Sequence, residues 1–418
     1  MQLAVPDQVR EVCRVLAAAG YQAVTVGGAV RDAMLGRDPG DWDVATSAHP
    51  DEVLRLFKHT IPTGLQHGTV TVVMGRGAHT HVEVTTFRGE GAYTDARRPD
   101  SVTFGVPLIE DLARRDLVVN AMAYDPEKDE LIDPFGGQGD IAARRLRAVG
   151  DPVARFTEDG LRVMRAVRFA AQLEFELEPA TEAAIAPALP SLAKVSRERV
   201  CDELHKLLSA RQPSRGLVPA LRTGIIATIL PELGTPGPDW APRVDRATTR
   251  VRLAAMLAPL AAEEALPHQF DRPLARRVAD ILRGLKFSNA DLEQASALVA
   301  VAHAPRAKSW EPAEVRRLLA QLRRDQREPA IELWSSEEPR NNVLVETAQR
   351  VVAEKHPLAV GDLAVTGQDL MTALEMKPGP AIGRILAMLL QRVIDDPSLN
   401  TREKLLADAQ RLELEVGR

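Results

Sequence analysis

Strand-type patterning in this chain is confined to its first third, and that limits what it can fold into more than any other feature. Short β-like runs occur at Ala23–Val26, Asp43–Ala45, Val70–Met74 and His81–Thr86, behind an amphipathic stretch from Asp7 to Ala19 that reads as a helix. From about residue 141 helical periodicity dominates to the end. The pattern predicts an α+β protein, a mixed-sheet head followed by an all-helical remainder. At 418 residues the chain is too long for one ordinary core, so several domains are expected. Pro213, the Pro-rich run 235–243 and the run 335–342 punctuate the helical part. They suggest the segments 1–140, 141–212, 213–334 and 335–418.

Composition narrows the function class. A hydrophobic fraction of 45% with 27% charged residues describes a soluble globular protein. No apolar run approaches the roughly 20 residues of a membrane span. The N-terminal MQLAVPDQVREVC carries acids early and no basic stretch before an apolar one, which argues against a secretory signal and for the cytoplasm. Cys13 and Cys201 lie far apart without metal-ligand spacing and read as buried or half-buried thiols. The net charge of −5 excludes a chain coated in basic residues, but RNA binding needs only a local basic face.

Chemistry concentrates first between Val26 and Thr46, in VGGAVRDAMLGRDPGDWDVAT. Side chains two apart on a strand share a face, so Asp41 and Asp43 are expected to converge while Trp42 turns into packing. Paired carboxylates beside a glycine turn suit a magnesium–triphosphate complex. Mg²⁺ takes a few carboxylate oxygens plus substrate phosphates, and Gly27 and Gly28 let backbone N–H groups approach phosphate, with Arg31 nearby. A solvated Asp-Trp-Asp turn is the plain alternative. Glu83, in HVEVTTFR, shares a strand face with Thr85 and is the best candidate for a third carboxylate near the attacking hydroxyl. An exposed strand residue would look the same.

Two further clusters follow. In LARRDLVVNAMAYD, Asp116 and Asn120 are i and i+4 and would share a helix face, a carboxylate and an amide able to bind ribose hydroxyls, with Arg115 reaching phosphate. In EDGLRVMRAVR, Asp159, Arg162, Arg165 and Arg168 recur every third residue. That could be a solvated face held by i,i+3 ion pairs. It could also read bases. Cytosine and adenine each present an amino donor beside a ring-nitrogen acceptor, which Asp159 and Arg162 complement. Uracil and guanine present the reverse, at a cost of about 1–3 kcal/mol per unsatisfied group. Arg165 and Arg168 are better placed for phosphate.

The GGxVRDxxLG…DxD run, present here without a gap, resembles the signature of class II tRNA nucleotidyltransferases, the CCA-adding enzymes, and of the related bacterial poly(A) polymerases. LARRDLVVNA and EDGLR resemble two further elements of that family. The resemblance implies a nucleotidyltransferase-type head at 1–140, a helical neck at 141–212 that reads the base, a body at 213–334 and a tRNA-binding tail at 335–418. It implies transfer of CMP and AMP from CTP and ATP to a tRNA 3′ end with Mg²⁺ as cofactor. Gly27, Gly28, Arg31 and Arg115 would handle phosphates, Asp116 and Asn120 the ribose. Arg88–Gly105 corresponds to a flexible loop, and its Gly89, Gly91, Arg97 and Arg98 suit a mobile basic segment. Enzymes adding only A, only CC, or poly(A) share the head motifs.

The helical part carries weaker signals. SRERVCDELHKLL (196–208) is similar to a neck helix of the family and offers Arg197 and Arg199 to solvent or RNA. Around 250–264 the chain resembles an HD-type phosphohydrolase helix, yet Met256-Leu257-Ala258-Pro259 stands where the metal pair would be, and no His-Asp dipeptide occurs anywhere. Pro378–Gly383 either opens a phosphate-holding helix or forms a tight turn between packed helices. A non-catalytic RNA-binding protein is the reading from another class.

Overall fold

The computed structural model describes residues 2–75, 80–90, 102–261, 268–307, 309–337 and 342–416. Its contacts divide the chain into two compact units, Met1–Pro231 and Glu232–Arg418.

The first unit is built on a mixed sheet of β1 (Ala23–Val26), β2 (Asp43–Thr46), β3 (Thr60–Gly64), β4 (Thr69–Val73), β5 (His81–Thr86), β8 (Ala123–Asp125) and β9 (Glu130–Ile132). The strands lie in the order β3-β4-β5-β2-β1-β8-β9, with β2 parallel to β5 and the other neighbours antiparallel. Both faces of the central strands are covered, which is why AVTV is buried at all four positions instead of alternating. One face packs Val44, Val70, Val72, Val82 and Val84 against Val9, Val12, Cys13 and Leu16 of the Asp7–Ala18 helix. The other buries Val24, Val26, Ala45 and Phe87 against Leu108 and Leu112.

The Arg88–Gly105 insertion starts and ends in a separate two-strand ladder, β6 (Arg88–Glu90) with β7 (Val102–Phe104). Gly89 is in that ladder; Gly91, Arg97 and Arg98 lie outside the described residues. After β9 the Asp133 carboxylate accepts from the backbone N–H groups of Gly136, Gly137 and Gln138 and starts the Gly137–Ala142 helix, forming a strand-to-helix joint. From there the unit is helical apart from a two-residue pairing of Arg145–Leu146 with Glu176–Leu177. The Leu161–Leu173 helix packs Phe169, Ala170 and Leu173 against Leu117, Val119 and Leu146, joining the helices to the sheet.

Among its described residues the second unit is helical throughout. Within it Ile385, Leu389 and Val393 of the Pro380–Asp395 helix pack against Leu405, Ala409 and Leu412 of Arg402–Val416. The buried Arg316 donates to the carbonyls of Ile394 and Asp395 at 2.5 and 2.8 Å, satisfying acceptors that the helix end leaves open. Residues 374–379 form the turn between two packed helices, and Gly379 has extended φ there. Among the described residues no helix is long and apolar enough to cross a membrane.

Candidate active site

The sheet topology gathers the sequence motifs at one end. β1 ends at Val26, opposite Asp43, the first residue of β2, and opposite Ala123, the first of β8. The Gly27–Gly28 turn, Asp43 and Asn120 therefore emerge together. Asp43 is also in register with Glu83 on the parallel strand β5. Gly27 has φ +76°, a backbone conformation that favours glycine, and a Cβ there would lie 2.7 Å from Nη1 of Arg115 and displace that guanidinium.

The Asp43 carboxyl opens to the cleft but is surrounded by protein mass. Its pKa is pushed up to about 6, first by desolvation and then by the Glu83 charge, with Asp41 adding to this and Arg115 opposing it. Asp41 precedes the strand, contrary to the expectation that both aspartates lie on it: β1 turns away at Gly27, leaving Asp41 no ladder partner. The alternation nonetheless holds, with Trp42 4% exposed between two exposed aspartates. Glu83 is exposed between buried Val82 and Val84, as expected.

A cavity of about 530 Å³ opens beside Asp43. Gly27, Gly28, Arg31, Arg115, Asp116 and Asn120 line it from the head, and Asp159, Arg162, Arg165 and Arg168 from the helices beyond. Asp41 and Glu83 are not in its wall. Asp116 and Asn120 are not on an α-helix. Leu117 bridges to Ala148 and Val118 N–H donates to Arg147 carbonyl at 2.8 Å, which extends the chain before a single 3₁₀ turn, Val118–Asn120. The two side chains still meet, with Asn120 Nδ2 donating to Asp116 Oδ1 at 3.2 Å. Asn120 Oδ1 in turn accepts from Arg31, whose guanidinium also grips Asp32 at 2.8 and 2.9 Å.

The arginine stripe is not a solvated face, because Arg162 and Arg168 are buried. Arg165 Nε donates to Asp116 Oδ2 at 2.6 Å, tying the helix to the head. Burial alone would raise the Asp116 carboxyl, but Arg165, Asn120 and the Leu117 N–H hold it well below the usual carboxylate range. Arg168 pairs at 2.5 Å with buried Glu203, and its guanidinium lies 3.8 Å from the Phe169 ring centroid. Asp159 and Arg162 line the same cavity, the Arg162 backbone N–H donating to the Asp159 carbonyl at 2.9 Å. Arg162 binds Glu158 at 2.6 Å and the Arg114 carbonyl at 3.1 Å, whereas Asp159 is held by Arg199 at 2.9 and 3.4 Å.

Residues 23–147 match the Poly A polymerase head domain family, and residues 273–409 match tRNA nucleotidyltransferase domain 2. The CCA-adding enzyme of Enterococcus faecalis is 36% identical over 413 residues, covering 97% of each chain. The chain belongs to the CCA-adding enzyme family. It is a nucleotidyltransferase. The Geobacillus stearothermophilus CCA-adding enzyme is 39% identical, over 93% of this chain and 92% of that one. The crystal structure of the Bacillus stearothermophilus CCA-adding enzyme in complex with CTP superposes with a TM-score of 0.74 at 33% identity, covering 98% of this chain and 99% of that one. The Thermotoga maritima CCA-adding enzyme complexed with tRNA shares the fold at a TM-score of 0.69 and 18% identity, over 98% of this chain and 97% of that one.

Five wall residues were not assigned to the site from sequence: Arg114, Leu161, Phe169, Gln172 and Arg199. Phe169 hides in an ordinary apolar helix pattern. Arg199 had a partial signal, since it stands four residues before Glu203 on one face of the Arg197–Leu208 helix and was read as an arginine open to solvent or RNA.

Proposed function

We propose that this chain adds CMP and AMP from CTP and ATP, without a nucleic-acid template, to the 3′ end of tRNA and releases pyrophosphate. The observation that carries the reading is the shared cavity. A glycine turn and carboxylate at the sheet end face the same space as Asp159 and Arg162, and triphosphate and base chemistry need that proximity. Relatives matched over nearly their whole length are named CCA-adding enzymes, which favours full CCA addition over A-only, CC-only or poly(A) synthesis.

Asp41 and Asp43 are the residues that would hold Mg²⁺, with Glu83 beside them. Like charges that raise the Asp43 carboxyl are what a bound cation relieves, and the donors are hard oxygens. Among the described residues no group of three or more such ligands forms. Bound there, Mg²⁺ supplies charge neutralisation on the triphosphate. The chain's own groups do the rest. Backbone N–H groups at Gly27–Gly28 approach phosphate, with Arg31 and Arg115 adding positive charge. Asp116 Oδ2 accepts from a ribose hydroxyl beside Asn120. Asp159 accepts from the amino group of C or A, and Arg162 donates to the neighbouring ring nitrogen. Arg165 and Arg168 hold positive potential for phosphate. In this reading residues 1–140 are the catalytic head, 141–212 the base-reading neck, 213–334 the body, and 335–418 the tRNA-binding tail, in a cytoplasmic enzyme.

A tRNA lacking its 3′ CCA should gain C from CTP alone and the complete end from CTP plus ATP. Long A tracts from ATP alone, or addition confined to a tRNA already ending in CC, would replace this reading.

A further inference from the structure

The base reader as described has a weakness: a carboxylate on a chain turn can rotate, and a rotated acceptor cannot select an amino group. Asp159 lies in such a turn, between the Pro152–Glu158 and Leu161–Leu173 helices. Its Oδ1 accepts from Leu161 N–H at 3.0 Å and from Arg199 Nη1 at 3.4 Å, and its Oδ2 from Arg199 Nη2 at 2.9 Å. A carboxylate offers about four acceptor sites. Among the described residues three are filled, the one left open belongs to Oδ2, and Asp159 lines the cavity.

The helix that carries Arg199 is anchored to the same segment. Four residues further along it, Glu203 pairs with Arg168, so one face of the Arg197–Leu208 helix grips the base-reading segment at both ends. The Asp159 and Arg199 side chains are only 16% and 30% exposed, so this is no ordinary surface pair. The planar fork of arginine fixes both oxygens at once, which a lysine cannot do.

Resting on the proposed base-reading role of Asp159, we propose that Arg199 is the positioning residue for template-free base choice. It locks the Asp159 carboxylate so that a single acceptor position faces the incoming base, and it acts on base choice through Asp159. The test measures kcat/KM for CTP and UTP on a tRNA lacking its 3′ end, with the KM for tRNA and the thermal midpoint alongside. Arg199→Gln should lower the CTP-over-UTP ratio about tenfold, with Arg199→Lys recovering only part of it. Combined with Asp159→Ala, Arg199→Gln should add no further loss of discrimination, because coupled residues are non-additive. A raised KM for tRNA with the ratio unchanged would make Arg199 a phosphate grip and overturn the proposal. So would independent, additive effects on the ratio. If Asp159→Ala collapses the ratio while Arg199→Gln leaves it intact, the positioning role alone fails. If Asp159→Ala leaves it intact, the base-reading role fails too.

Discussion

Asp43 illustrates how one residue carries two kinds of information. Its place in the sequence, beside Asp41 and after a glycine turn, suggests metal chemistry. Its place in the structure, desolvated at the sheet end and in register with Glu83, explains why its carboxyl is pushed up to about 6. Asp43→Ala or Asp41→Ala should abolish nucleotide incorporation with tRNA affinity nearly intact, since the pair serves only the reaction centre. Comparing filter binding with primer extension checks this, and appreciable extension by either variant would remove the pair from the mechanism. Asp116 makes the complementary case, a carboxylate stabilised by its surroundings. Its folded pKa lies below the unfolded value of about 3.9, so its contribution is complete above that value and fades as pH falls through the folded one. Asp116→Asn should therefore be less stable than the parent at pH 7, with the gap narrowing below about pH 4. Denaturant midpoints of both proteins at pH 7 and pH 3 measure it, and a gap independent of pH would mean the Arg165 pair contributes nothing to folding.

Elements show which parts of the site could be read along the chain and which could not. β1, the glycine turn and Asp43 were legible because they fall within one short window whose spacing alone fixes their faces. The Asp116–Asn120 contact was legible for the wrong reason: the pair meets across a 3₁₀ turn, since the Leu117–Ala148 bridge pulls the backbone out of helix. The Asp159–Arg199 pair spans 40 residues, a separation that local spacing does not reveal. Spacing alone left open whether Arg162 and Arg168 face solvent or a nucleotide, and the solvated face fails because the Arg197–Leu208 helix and the Arg114 carbonyl cover them. Gly160 is the feature that sets these helices together. A Cβ there would come within 2.3–2.4 Å of Ser191 and Leu192 backbone atoms, which cannot swing aside as a side chain would. Gly160→Ala should cost roughly 1–3 kcal/mol of stability and, by displacing Asp159, lower nucleotide selectivity as well. Urea midpoints together with the four-nucleotide assay test both parts. A variant as stable as the parent would show that the helix contact is looser than drawn.

On the scale of the whole molecule, charge is distributed unevenly enough that the net value misleads. The chain totals −5, yet the cavity of the first unit is lined by Arg31, Arg114, Arg115, Arg162, Arg165, Arg168 and Arg199 against three aspartates. Carboxylates elsewhere outweigh these arginines in the sum, but at the Debye length of about 8 Å in physiological salt a phosphate responds to nearby charge. A polyanion should therefore bind despite like net charge, and it should do so by displacing condensed counterions. If at least three backbone phosphates are neutralised, the slope of log affinity against log salt is about −2 or steeper, so a fourfold rise in salt weakens tRNA binding by roughly fifteenfold or more. Replacing Arg115, whose Nε is buried without a partner, should flatten the slope if a phosphate is what it meets. Equilibrium binding of one tRNA across a salt series, for the parent and for Arg115→Gln, measures both. A slope near zero would mean that base stacking and apolar contact hold the RNA, and the arginines of this cavity would then serve the triphosphate and the fold alone.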